Sequence, residues 1–158
     1  VLPGERSNTV FVAEWLALPE LAQDNGITEA AWQQIMAAKV AVNKALEAAR
    51  TAGTIGASLQ AEVTLYAQPV LKTVLEKLGD ELRFVLITSY ANLADFDAQA
   101  GEATELETLR VQVAKVDFAK CVRCWHYRAD VGSFADDAEL CGRCVDNVNG
   151  GGEHRCHA

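Results

Sequence analysis

Apolar and polar positions change period several times along this chain, and each change marks an element. From Glu29 to Ala52 the sequence is alanine-rich and free of Gly and Pro, with Trp32, Ile35, Met36, Val42 and Leu46 at near-helical spacing. Thr28 suits the position that caps such a helix, Glu29 suits its positive first turn, and Gly53 suits the residue just past its end. The period then shortens. Leu59, Ala61, Val63 and Leu65 alternate with Gln60, Glu62, Thr64 and Tyr66, the pattern of a half-buried strand. Pro69, tolerated in a first helical turn, precedes Leu71, Val74, Leu75 and Leu78, a short amphipathic helix ended by Gly79. Leu82 to Thr88 reads as a buried strand, Asp95–Glu105 as an acidic loop, and Leu109, Val111 and Val113 as a further strand. Strand, helix, strand, loop, strand makes a small α+β unit of about three strands and one helix. Ahead of all this, Val10, Phe11, Val12, Trp15, Leu16, Leu18 and Leu21 form an apolar stretch broken by Pro19 and closed by Asn25-Gly26, expected to pack over a core without being a regular helix.

Composition narrows the class. Half of the 158 residues are hydrophobic and 23% are charged, which suits a folded chain of one ordinary domain or two to three small ones. No apolar run approaches the roughly 18 residues a membrane helix needs, and no charged-then-apolar signal segment opens the chain. It begins with Val1 instead of Met, which fits a processed chain or a piece of a longer one. The net charge of −8 argues against general affinity for nucleic acid. Residues 1–104 hold seven Lys/Arg against thirteen Asp/Glu, and residues 105–158 seven against nine, so any nucleic-acid contact has to be local. The helical segment offers one such surface in Lys39, Asn43 and Arg50, which with Lys44 and Glu47 form either a solvated face or a set of phosphate contacts.

All five cysteines lie in residues 121–158, four of them as C-x2-C-x16-C-x2-C: Cys121, Cys124, Cys141 and Cys144. Each C-x2-C turn aims two sulfurs at one point, and the intervening sixteen residues, Trp125–Leu140, are long enough to return as a hairpin. Four thiolates give zinc the closed tetrahedral shell of a structural site, with no position left for a catalytic water. One zinc per chain is expected, with His126 outside the completed shell. Lys120, Arg123 and Arg143 flank these turns, where they offset thiolate charge, reach a phosphate backbone, or do both. Trp125 and Tyr127 are open to two roles, the core of the small module or a stacking platform for bases. Cys156, after Gly150-Gly151-Gly152 and between His154 and His157, reads as a free thiol on a mobile tail, the sharper alternative being an adventitious metal ligand.

Several segments resemble a known family. "KCVRCWHY" at Lys120–Tyr127, "ADVG" at Ala129–Gly132 and "LCGRCVDNV" at Leu140–Val148 resemble the C-terminal zinc module of bacterial isoleucyl-tRNA synthetases. "FVAEW" at Phe11–Trp15 and "VNKALEAAR" at Val42–Arg50 resemble the end of that enzyme's anticodon-binding helical domain, and "IGASLQAEVTLYA" at Ile55–Ala67 and "LGDELRFVLITS" at Leu78–Ser89 the segment that follows. The resemblance is collinear and covers nearly the whole chain. It implies three parts: residues 1–54 as the C-terminal helical part of an anticodon-binding domain, 55–118 as an α+β junction unit, and 119–158 as a four-cysteine zinc ribbon or knuckle with a Gly-rich tail. It further implies a cytoplasmic, monomeric ligase that joins isoleucine to its tRNA using ATP, with tRNA and the enzyme's N-terminal remainder as partners. The class's "HIGH"-like and "KMSKS"-like motifs are absent here, so neither catalysis nor editing is expected of this stretch.

One departure concerns the end of the chain. The family's Gly-rich stretch ends in a lysine-containing basic tail, whereas here it ends "GGGEHRCHA" with Arg155 as its one permanent cation. Contact between tail and phosphate is weakened accordingly and could become pH-dependent through His154 and His157. The implied mechanism has the 29–52 helix as part of a wall against the anticodon stem-loop. Arg123 and Arg143 touch the RNA backbone and Trp125 stacks on a base. Two other classes share the cysteine spacing: a purely structural or protein-interaction zinc module, and the zinc finger of formamidopyrimidine-DNA glycosylases. The glycosylases' N-terminal Pro-Glu pair has no counterpart in Val1-Leu2-Pro3-Gly4.

Overall fold

The computed structural model describes residue 11 and residues 26–157. The apolar stretch around Val10, Val12, Trp15, Leu16, Leu18 and Leu21 lies outside the described residues. Phe11 is exposed and Ile27 is buried.

Helix α1 spans Glu29–Thr51, with the Ala31 amide donating to the Thr28 hydroxyl at 3.2 Å as its N-cap. Gly53 follows in the left-handed conformation at φ 77°, where a glycine carries no steric penalty. Ile35, Val42 and Leu46 are buried as their spacing suggests, together with Ala31, Ala38 and Ala41. Met36 is not buried with them. It lies about 100° around the helix from Ile35 and is 47% exposed.

Among the described residues, four strands form one sheet in the order β2-β1-β4-β3. Strand β1 (Ala61–Ala67) alternates buried and half-buried positions, as expected. It pairs in parallel with β2 (Tyr90–Asp95) and antiparallel with β4 (Leu109–Lys115), placing Leu65 between Leu93 and Val111. A short β3 (Glu102–Ala103) adds to β4, so the acidic loop is partly strand. The parallel pairing requires a crossover, supplied by α2 (Pro69–Glu76) and α3 (Leu82–Leu86). Leu71, Leu75, Leu82 and Leu86 join the inward residues of α1, β1 and β4 in one hydrophobic core. Each fully buried Leu or Val contributes about 1.5–3 kcal/mol. The opposite face of the sheet is polar, with the Tyr66 hydroxyl donating to Gln112 at 2.9 Å and Asn92 donating to Glu62 at 2.6 Å.

The segment expected as a strand at Leu82–Thr88 is helix α3 followed by a turn. Three contacts explain this. Arg83 donates to Asp80 Oδ2 through Nε (3.0 Å) and Nη2 (2.8 Å) across one helical turn. Leu82 and Leu86, four apart, share the buried face. Ile87 takes left-handed φ 58°, ending the helix as its amide bonds to Phe84 O and that of Thr88 to Arg83 O. The unit therefore holds four strands and two helices, where the sequence suggested about three and one.

That turn positions the rest of the chain. Ser89 is fully buried, with its amide on Ala61 O. Its hydroxyl donates to Leu59 O at 2.5 Å and accepts the Tyr127 amide at 2.7 Å. One side chain thus joins the sheet to the cysteine-rich module. Arg128 reinforces the joint by donating to Ser89 O at 3.2 Å and lying 4.4 Å over the Tyr90 ring.

Candidate metal centre

The first cysteine pair sits on a tight reversal. The amide of Cys121 donates to His126 O, that of Trp125 to Cys121 O, and that of Arg128 to Ala119 O, with Lys120 and Tyr127 bridged antiparallel. Closing this turn requires a left-handed residue, and Trp125 fills that place at φ 66°. Its ring is therefore directed outward, 59% exposed, with the Lys120 ammonium 5.0 Å from the ring centroid. The second pair opens helix α4 (Gly142–Asn149), absent from the sequence reading. Asp130 Oδ2 accepts the Gly142 amide at 2.8 Å at the start of that helix, and a side chain at position 142 would crowd the same carboxylate.

These two turns bring Cys121, Cys124, Cys141 and Cys144 together, with all four sulfurs within 4.8 Å of one another. The Cys124 and Cys141 sulfurs are 3.7 Å apart. A tetrahedral zinc site with bonds of about 2.3 Å has sulfur–sulfur edges of roughly 3.8 Å, so the donor set and its spacing fit that ion. Cys121, Cys141 and Cys144 are buried and Cys124 is half-buried. Burial raises the Cys121 thiol, but amides of Cys124, Cys141 and Arg123 outweigh it and bring the pKa down to about 6. Burial and the neighbouring Cys124 sulfur push Cys141 up to about 12. Four thiolates this close repel one another, and a bound cation removes that penalty.

His126 lies outside the cysteine group and packs inside the module, while of the two rings left open between core and stacking platform Trp125 is exposed and Tyr127 half-buried. It is 8% exposed, set edge-on to Phe84 at 5.7 Å, with Nδ1 donating to the Cys124 carbonyl at 3.2 Å. Burial first, and then Arg83, Arg143 and Arg128, lower its pKa to about 4, so it is neutral at pH 7.

The other expected contact residues divide into groups. Lys120 and Trp125 lie on the exposed turn. Arg123 is also exposed, yet Nη1 approaches Cys144 Sγ at 3.6 Å, which supports the charge-offset reading. Arg143 is turned inward. It pairs with Glu153 at 2.7 Å, its side chain only 18% exposed, and lies 5.1 Å from the Phe84 centroid. Lys39, half-buried, and Asn43 and Arg50, exposed, are on α1, which packs on β4, α2 and α3. Arg50 is paired with Glu47 at 2.8 Å. The tail is docked. The amides of Cys156 and His157 donate to the Glu81 carboxylate at 2.7 and 2.6 Å, and Arg155 lies 4.0 Å over Phe84. Sequence reasoning missed Ser89, Phe84 and Glu81, whose partners lie far along the chain, and Glu153, whose partners Arg143, Asn147 and Arg155 are near in sequence but meet it only because the glycine turn folds back.

Comparison with known proteins agrees with this geometry. A family described as a zinc finger found in FPG and IleRS matches residues 118–147. Over 99% of its length the chain is 52% identical to the isoleucine–tRNA ligase of Teredinibacter turnerae and 54% identical to that of Pseudomonas entomophila. Over 98% it is 51% identical to that of Saccharophagus degradans. It covers 17%, 17% and 16% of those proteins, so it spans about a sixth of the length of the curated relatives it matches.

Proposed function

The chain belongs to the isoleucine–tRNA ligase family, matching its C-terminal, zinc-finger-bearing region, and from that premise we propose that it binds tRNA on the anticodon stem-loop side. One zinc per chain is held by Cys121, Cys124, Cys141 and Cys144 and fixes the recognition surface, with no part in bond making. The observation that carries this reading is the exposed Trp125 ring, held outward by its own backbone beside Lys120 and Arg123. Unstacked loop bases expose faces that such a ring can cover, and the two cations supply local phosphate contacts on a chain whose net charge is −8. Arg143 serves the same surface from its inner edge.

Helix α1, in the 1–54 part, contributes part of a wall, with Lys39, Asn43 and Arg50 toward the RNA. Residues 55–118 set the angle of the module at 119–158. In the whole ligase this segment supports ATP-dependent isoleucylation, carries neither the catalytic nor the editing site, and works as part of a monomeric cytoplasmic enzyme alongside the N-terminal remainder. The family description also names a second protein group, which keeps a duplex-DNA reading in view. The ligase relatives match 99% of the chain and the finger only residues 118–147, so the tRNA reading is preferred. A structural or protein-interaction module is the remaining alternative.

The test is a low-salt titration of the zinc-loaded chain with isoleucine tRNA, a tRNA differing only in its anticodon stem-loop, and duplex DNA. Isoleucine tRNA should bind preferentially, and Trp125→Ala should weaken that binding roughly 5- to 100-fold, the loss of one stacked base. Equal binding to both tRNAs would sink the anticodon assignment. Duplex preference would favour the DNA reading, and absence of binding the structural one.

A further inference from the structure

The end of the chain folds back on the metal module. The amides of Gly150 and Gly152 both reach Asp146 O, at 2.8 and 3.3 Å. Gly152 takes φ 83°, and a side-chain carbon at Gly150 would lie 2.3 Å from Asp146 Oδ1. The glycine run is therefore a reverse turn with no room for a side chain at Gly150 and a left-handed backbone at Gly152. It returns Glu153 to the face of α4, where its amide donates to Asn147 Oδ1 at 3.0 Å.

Three donors then converge on one oxygen. Glu153 Oε1 accepts from Arg143 Nη1 at 2.7 Å, Arg155 Nη2 at 2.8 Å and Asn147 Nδ2 at 3.1 Å. The carboxylate is 23% exposed and the Arg143 side chain 18%, so this is a recessed contact. Burial alone would raise the Glu153 pKa, but hydrogen bonds from Arg155, Arg143 and Asn147 hold it down to about 2, and a full negative charge fills the recess at neutral pH. Farther on, the Glu81 carboxylate holds the Cys156 and His157 amides, and both guanidinium groups lie on the Phe84 ring. The backbone on either side of Glu153 is thereby tied down, and its side chain alone has to swing to vacate the recess.

We propose that Arg143, Arg155 and Asn147 form a notch for one RNA backbone phosphate, and that Glu153 is its internal occupant, a carboxylate that holds the notch shut until RNA displaces it. Guanidinium groups donate to carboxylate and phosphate oxygens alike, so the resident group marks the chemistry of its competitor. Without the Glu153 charge the notch carries two cations and an amide donor within a strongly acidic chain. The inference rests on the tRNA reading and names a site within it.

Glu153→Gln keeps the shape and removes the charge. Zinc-loaded wild type and this variant are titrated with isoleucine tRNA over a range of salt concentration, and separately with inorganic phosphate while the Arg143 and Arg155 side-chain N–H resonances are followed. The variant should bind tRNA roughly 5- to 10-fold tighter at low salt. Its salt slope should steepen by about 0.7–0.9, one phosphate contact. Phosphate should shift the two arginine resonances at lower concentration than in wild type. Equal or weaker tRNA binding with an unchanged slope and no such shift overturns the notch and leaves the tRNA reading standing. If tRNA binds neither protein while phosphate still shifts both arginines in the variant, the notch stands and the tRNA reading falls.

Discussion

Removing zinc should unfold residues 119–149 and leave α1 and the sheet intact. Among the described residues the buried side chains form two separate clusters. The first runs without a break from Ile27 through β1, α2 and α3 to Val111. The second consists of Cys121, Cys141 and Cys144, with Cys124, Val131 and Leu140 against them. That cluster buries little besides its own ligands, and apolar burial there cannot offset about 1–2 kcal/mol of backbone entropy for every residue ordered. A bound zinc would supply the difference, since apparent binding free energies for small zinc modules reach about 10–16 kcal/mol and count as folding free energy. Without the ion the four sulfurs either repel as thiolates or bury as thiols, and the Cys121 and Cys124 turns lose the point on which they converge. Amide spectra before and after chelation read this directly. Peaks from 119–149 should collapse to random-coil positions, those from 61–67 and 109–115 should stay, and zinc should restore the first set. A chelated chain with native dispersion throughout would show that the module folds on its protein contacts alone.

Ser89→Ala carries the second large effect, a loss of about 2–4 kcal/mol. The hydroxyl is buried and makes two contacts at once, to Leu59 O and from the Tyr127 amide. Alanine leaves both backbone groups without this partner, and a buried unsatisfied group costs about 1–3 kcal/mol. Beyond stability, the substitution cuts a bond that sets the module against the sheet. Urea unfolding should show a lowered midpoint with little change in slope, and the Tyr127 and Arg128 amides should exchange faster with solvent. A change below about 0.5 kcal/mol would mean that water or a small shift replaces the hydroxyl.

How far the sequence reaches depends on the range of the interactions that decide each element. Helix α1, strand β1, helix α2 and strand β4 carry their own periods, and local physics places them. The paired cysteines are equally legible, because a C-x2-C turn is a local device and the second pair completes the shell. Leu82–Thr88 carries no decisive period. Val85, Ile87 and Thr88 favour a strand, while the Asp80–Arg83 contact and the left-handed Ile87 that settle the matter are side-chain and backbone events invisible in a hydropathy pattern. Helix α4 is hidden differently. It begins with Gly142 and includes Asn147 and Asn149, poor helix formers, and its start is held by Asp130 from twelve residues upstream. Trp125 is legible only as one of two roles, core or stacking platform; the left-handed backbone at Trp125 and the burial of His126 beside Phe84, which decide it, leave no mark in a hydropathy pattern. The glycine run suggests a loose tail when read alone. Its docking depends on Glu81, some 75 residues away, and on an acidic side chain meeting arginines, neither of which composition reveals.

The measurement that bears most directly on the central claim, that the metal-held turn is the RNA-contacting surface, is an amide and side-chain NMR map of the zinc-loaded chain titrated with the anticodon stem-loop of isoleucine tRNA. The largest shifts should fall on Lys120, Arg123 and the Trp125 indole, with smaller ones along Lys39, Asn43 and Arg50, while the amides of the sheet core stay in place. Shifts confined to the polar sheet face around Tyr66, Asn92 and Gln112, with the Trp125 indole unmoved at saturating RNA, would contradict it.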